Sequence, residues 1–227
     1  MKAILIDDER MARQELRRLL VAHPQIEIAG EARNGDEALR MIEEHSPDVL
    51  FLDVRMPGMS GFDMLEQLDS VPQVIFTTAF DQYALKAFEV SALDYLVKPV
   101  APERLAKAIG KLKPPAQRGG IERVFVRDGE RCWLVRLHDI RLLRSEGNYT
   151  RLYFEQNQPL IPRSLAHIEP RLDEAMFFRA NRAEIVNLKW VVSIEPDGDG
   201  YAVALRGGPV VAVSRRQARL LRDRLAF

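Results

Sequence analysis

Cysteine is nearly missing from this chain. Cys132 is the only one in 227 residues, so no intrachain disulfide forms and nothing points to an oxidising compartment. No stretch approaches the ~20 consecutive apolar residues that a membrane-spanning helix requires. Met1-Lys2 leads into a short apolar run and then acid, without the apolar core and small-residue cleavage site of a secretory signal. The expectation is a soluble, cytoplasmic protein with no membrane insertion. Internal repeats and low-complexity tracts are lacking too. Net charge is formally zero, yet residues 1–113 carry 14 Lys/Arg against 19 Asp/Glu while residues 114–227 carry the reverse. Opposite halves of opposite sign imply different partners, and a basic half admits a polyanion.

The first half alternates apolar runs of strand length with helix-period segments, the pattern of βαβ units and a parallel sheet. Strands are expected at Ala3–Ile6, Ile26–Gly30, Val49–Leu52, Val74–Thr77 and Tyr95–Val97, with helices near Met11–Ala22, Gly35–Glu44, Gly61–Leu68, Tyr83–Val90 and Pro102–Lys111. In the first helix, Leu16, Leu19 and Leu20 recur on one face, which places Arg13, Arg17 and Arg18 outside. Lys113-Pro114-Pro115-Ala116-Gln117-Arg118-Gly119-Gly120 has the composition of a turn-rich linker. Domains are therefore expected at 1–113 and 121–227, joined by a linker at 114–120. Beyond the linker the runs are short, β-branched and aromatic, and Asp128-Gly129, Asp197-Gly198 and Gly207-Gly208 punctuate them as hairpin turns. One helical segment, Ser164–Glu174, contains Pro170 and must kink or split there. Arg215–Leu225 reads as a basic helix.

Polar residues end or follow the strand-length runs of the first half: Asp7-Asp8-Glu9, Asp53, Thr78-Ala79, Tyr95 and Lys98-Pro99. In a parallel α/β sheet such residues converge at the carboxyl edge, where these folds put their chemistry. Three carboxylates there suit a hard divalent cation such as Mg²⁺. A carboxylate beside such a cation and an ammonium can accept a phosphoryl group. Singly, Asp8 also suits a helix N-cap, Thr78 a strand end, Tyr95 a core aromatic and Lys98 a solvated lysine. It is the set in order that favours the chemistry.

This set resembles the bacterial two-component receiver domain over residues 2–112, which implies a doubly wound, flavodoxin-like sheet of five parallel strands. The resemblance implies Asp53 as phosphoacceptor and Asp7, Asp8, Asp53 and the Arg55 carbonyl as Mg²⁺ ligands. It further implies Thr78 and Ala79 as phosphoryl contacts, Tyr95 as switch aromatic, Lys98 as the ammonium and a cis Lys98-Pro99 bond. A sensor histidine kinase would be the donor, with homodimerisation on phosphorylation and residues 80–90 as the candidate face. An enzyme acting on another substrate is not implied, although the chain would take a phosphoryl group onto its own Asp53 and lose it by self-hydrolysis. A phosphatase sharing that chemistry needs a cap domain and a general acid near the nucleophile, and Val54-Arg55 offers none.

The second half lacks the layout of a helix-turn-helix, paired metal ligands and a Gly-rich phosphate loop, and His138 and His167 stand alone. Ile140–Tyr153, Arg163-Ser164-Leu165, Phe178–Asn187 and Val213–Arg216 resemble the mostly-β LytTR family of DNA-binding domains over residues 121–224. The family commonly has His and Ser where this chain has Asn181 and Ala183. The resemblance implies that loops, rather than a recognition helix, enter the major groove of promoter DNA. By position these would carry Asn148, Tyr149, Thr150 and Arg151, then Asn181 and Arg182, then Arg215 and Arg216. Arg pairs with guanine and Asn with adenine in bidentate fashion, and Arg also neutralises phosphate. The implied function is a response regulator that controls transcription. The alternative is a phospho-switched protein- or RNA-interaction module.

Overall fold

The computed structural model describes residues 1–79, 94–114, 123–129, 131–198 and 200–225. The helix expected at Tyr83–Val90, the dimerisation face at residues 80–90 and most of the linker lie outside them. The chain divides into two compact units, one of residues 1–119, 123–125 and 129–134, the other of the remainder.

In the first unit, β1 (Lys2–Ile6), β2 (Glu27–Ala32), β3 (Val49–Asp53), β4 (Gln73–Thr78) and β5 (Asp94–Val97) form a parallel sheet of order β2-β1-β3-β4-β5. The order reverses beside β1, so the crevice beyond β1 and β3 is the place for a ligand. Continuous apolar runs are what a sheet covered on both faces demands. Ala3, Leu5, Val49, Phe51 and Ile75 pack on one side with Leu16 and Leu20 of α1 (Arg10–Leu20) and Leu105, Ala108 and Ile109 of α4 (Pro102–Ile109). Ile4, Ile6, Leu50, Leu52, Val74 and Phe76 pack on the other with α2 (Gly35–His45) and α3 (Gly61–Gln67). Asn34 caps α2 by accepting from the Glu37 N–H, and Ser60 with Asp63 forms a capping box on α3. Phe125, Cys132 and Leu134 join this second core, and the Phe125 ring stacks on Phe62 at 5.9 Å.

One part of α1 departs from expectation. Leu16 and Leu20 are buried as the spacing predicts, but Arg13 is not an outward side chain. Its Nη1 donates to the Asp7 carbonyl at 2.6 Å, and its Nε donates to Glu31 at 3.3 Å. The helical period locates the core and says nothing of the loop beside the helix.

Asp94 opens β5 with a 5% exposed side chain, held by Lys111 at 2.8 Å and Arg104 at 3.1 Å. Burial alone would raise its pKa, but the Lys111 hydrogen bond, the Tyr95 N–H and both cations hold it below the usual carboxylate value. A depressed folded pKa contributes stability that is present above the unfolded value and lost as pH falls through the folded one. Asp94→Asn is therefore expected to cost about 1–3 kcal/mol at neutral pH. Urea titrations of both proteins should show that difference shrinking below about pH 4.

The second unit is mostly β, as expected. β8 (Leu142–Glu146), β9 (Tyr149–Tyr153), β10 (Leu160–Ile161), β11 (Phe177–Asn181) and β12 (Glu184–Asn187) form an antiparallel sheet of order β10-β9-β8-β12-β11. β13 (Val191–Asp197), β14 (Gly200–Leu205) and β15 (Val210–Val213) form a second sheet. β6 (Arg123–Asp128) and β7 (Arg131–Arg136) pair as a hairpin whose residues are shared out between the two units. Leu142, Phe178, Val186, Val203 and Val213 share a core with Ala218 and Leu221 of the basic helix α6 (Arg215–Leu225). The segment around Pro170 splits as proline dictates, into α5 (Leu165–Ile168) and a 3₁₀ turn at Glu169–Arg171.

Candidate functional site

Four strands deliver the first site. Asp7 follows β1, Asp53 ends β3, Thr78 ends β4, and Lys98 follows β5, its N–H donating to the Thr78 carbonyl at 2.8 Å. Lys98 Nζ lies 2.6 Å from Asp53 Oδ2, 2.7 Å from Asp7 Oδ2 and 3.8 Å from Glu9 Oε2. The Arg55 N–H donates to Asp53 Oδ1 at 3.1 Å, and the Glu9 N–H to Asp7 Oδ1 at 3.0 Å. Asp7, Asp53 and Thr78 are buried, whereas Asp8 is exposed. The N-cap of α1 is Glu9, without a side-chain bond, so Asp8 is not spent on capping.

The charges explain the titration. Burial, with Asp53 adding to it, raises the Asp7 pKa against the pull of Lys98. Burial would lower Lys98, but its bonds to Asp53 and Asp7 outweigh that and raise it. Lys98 thus stays an ammonium. Each of Asp7, Asp8 and Asp53 offers an oxygen within 4.8 Å of the others. An all-oxygen donor set of this kind fits Mg²⁺.

Thr78 is in register with Val97, and Tyr95 with Phe76. Tyr95 is half-buried; its carbonyl accepts from Arg104 at 3.2 Å, and that guanidinium lies 5.8 Å from the ring centroid. Ala79 is exposed beside Thr78, and the Lys98-Pro99 bond is cis. Sequence reasoning missed Arg13 as a support of the Asp7 loop.

The second unit brings its three clusters to one end. The Ser145 N–H donates to the Ala183 carbonyl at 2.7 Å, joining the β8–β9 turn to the β11–β12 turn, and the Ser214 N–H donates to the Ala180 carbonyl at 3.0 Å beside α6. Asn148, Tyr149, Arg182, Arg215 and Arg216 are exposed there. The expected loop at 148–151 is shorter than anticipated, because Gly147 at φ +64° closes a two-residue turn and β9 begins at Tyr149. Thr150 is 0% exposed and its hydroxyl donates to the Arg163 carbonyl at 2.7 Å, so it offers no surface to a duplex. Arg151 is held by Glu146, its Nη2 at 2.7 Å from Oε2, and donates to the Gln158 carbonyl at 2.7 Å. Among the described residues, no helix is long and apolar enough to cross a membrane.

Comparison with known proteins agrees with both halves. Residues 3–110 match the response regulator receiver domain and residues 130–226 the LytTR DNA-binding domain. An uncharacterized response regulatory protein of Vibrio cholerae is 36% identical over 100% of this chain and 99% of its own length. The sensory transduction protein LytT of Enterococcus faecalis is 33% identical over the whole of both chains. The transcriptional regulatory protein BtsR of Escherichia coli is 33% identical over 100% of this chain and 99% of its own. Among solved structures, the receiver of mrkE from Klebsiella pneumoniae aligns at 34% identity and TM-score 0.45 over 49% of this chain and 94% of its own.

An acidic sheet edge followed by a DNA-binding domain defines a transcriptional response regulator of a two-component system. The chain belongs to the LytTR family of response regulators, with a receiver domain ahead of a LytTR domain.

Proposed function

We propose that this protein accepts a phosphoryl group on Asp53 from a sensor histidine kinase and in response dimerises and binds promoter DNA sequence-specifically. The observation that carries the reading is Lys98, which bridges Asp53 and Asp7 at 2.6 and 2.7 Å beside a third carboxylate. A carboxylate oxygen of Asp53 forms the new O–P bond as the donor's P–N bond breaks. Asp7, Asp8, Asp53 and the Arg55 carbonyl would hold Mg²⁺, which would supply neutralisation of the phosphoryl charge. Lys98 exchanges its contact with Asp53 for a phosphoryl oxygen, and the Thr78 hydroxyl and Ala79 N–H donate to the others. The drawn-in Thr78 frees space into which Tyr95 turns, which alters the neighbouring surface. Paired chains gain on adjacent half-sites through effective concentration. The chain acts on no separate substrate; it receives and hydrolyses its own phosphoryl group.

Duplex selection from random sequence, repeated at several salt concentrations, tests the DNA half. The expected outcome is an enriched motif whose advantage over random duplex persists as salt rises. Salt-sensitive binding without a motif would instead support the protein- or RNA-interaction reading.

A further inference from the structure

Asn181 and Arg182 are neighbours in one turn, yet the structure treats their side chains in opposite ways. Asn181 Nδ2 donates to Glu184 Oε2 at 2.8 Å and to the Ala212 carbonyl at 2.7 Å, while its Oδ1 accepts from the Ala183 N–H at 2.8 Å. An amide nitrogen has two hydrogens, and both are spent. Bidentate recognition of adenine needs one of them together with the amide oxygen. Glu184 is itself fixed, its Oε1 accepting from Arg144 Nε at 2.8 Å. From below, Arg179 donates to the Asn181 carbonyl at 2.7 Å and to the Arg182 carbonyl at 2.6 Å, with Glu169 holding its third nitrogen at 2.6 Å. Backbone and side-chain bonds thus fix the turn around a single outward group. Among the described residues no side chain pairs with Arg182, which is exposed.

We propose that Arg182 is the specificity-determining residue of the β11–β12 turn, reading guanine, and that Asn181 is a positioning residue that never touches a base. The proposal rests on the reading of this domain as a reader of duplex DNA. Asn181, Glu184 and Arg179 pre-order the turn, so that little backbone freedom is lost when Arg182 meets a base edge. The fixed turn sets where the Arg182 side chain starts, and its planar guanidinium carries two parallel donors that match the O6 and N7 acceptors of guanine.

The test is duplex selection with the full-length wild type, Asn181→Ala, Arg182→Ala and Arg182→Lys. Arg182→Ala is expected to lose roughly 10- to 100-fold of discrimination at a single G·C pair. Arg182→Lys, which keeps the charge without the fork, should lose the same preference while retaining non-specific binding. Asn181→Ala should bind more weakly with the order of preferred bases unchanged at every position. An adenine preference that vanishes in Asn181→Ala, or a motif untouched in both Arg182 variants, overturns the proposal while leaving DNA reading intact. A wild type that enriches no motif overturns DNA reading and this proposal with it. Should Asn181→Ala fail to fold, the ¹⁵N signal of the wild-type Asn181 side chain decides: it should stay in place when the selected duplex is added, and a shift to a base-bonded position contradicts the assignment.

Discussion

Asp53→Asn is expected to abolish incorporation of phosphate from a small phosphodonor in the presence of Mg²⁺, while the protein keeps its fold. The amide is isosteric with the carboxylate, so the contact with the Arg55 N–H survives, but a neutral amide oxygen is a poor nucleophile. Lys98 retains Asp7 as an anionic partner at 2.7 Å, so no buried cation is left alone. Removing one of the three carboxylates around Lys98 relieves repulsion with Asp7, whose pKa should fall, since Asp53 is among the causes that raise it. Intact-mass measurement after incubation with phosphodonor is the check. One added phosphoryl group on the wild type and none on the variant is the expected pair, whereas equal incorporation places the acceptor elsewhere.

Gly61→Ala should act on the same site through the backbone. A Cβ at the first residue of α3 would lie 2.4 Å from the Asp53 carbonyl oxygen and 3.1 Å from Leu52 Cγ. Neither neighbour can give way cheaply: Leu52 is fully buried, and Asp53 is pinned by pairing with Thr77 on β4. The helix start must then retreat from β3, although the Gly61 N–H is bonded to the Val54 carbonyl at 3.0 Å. The expected cost is about 3 kcal/mol of stability. Because reacting groups displaced by about 1 Å lose on the order of 100-fold in rate, phosphoryl incorporation should slow even where the variant is fully folded. Urea denaturation paired with the rate of incorporation separates the two effects. Unchanged values of both would mean that the close approach of α3 does not set the position of Asp53.

The sheet of the receiver was legible because its strands are buried on both faces, and such strands cannot hide among polar residues. Ala3 and Leu5 serve one core while Ile4 and Ile6 serve the other, so the whole run had to be apolar. The polar residues that interrupt these runs then fall at one edge by geometry, which is why Asp7, Asp53, Thr78 and Lys98 could be found together. Arg13 was not legible, since periodicity distinguishes core from non-core but not solvent from a neighbouring loop. In the second unit, composition announced strands, but the fate of each polar side chain depended on cross-strand partners that no local pattern reveals. Thr150 is buried because it bonds the Arg163 carbonyl, and Asn181 is occupied because Glu184 and the Ala212 carbonyl lie across from it. Spacing located the turns; only three-dimensional pairing separates the residues that face outward from those that hold the turn.

Coupling between the two units is the central claim, and the affinity of the full-length protein for its selected duplex, with and without phosphorylation at Asp53, measures it directly. The predicted result is tighter, dimeric binding by the phosphorylated wild type and no response to phosphodonor in Asp53→Asn. Identical affinity and stoichiometry for phosphorylated and unphosphorylated wild type would contradict the account.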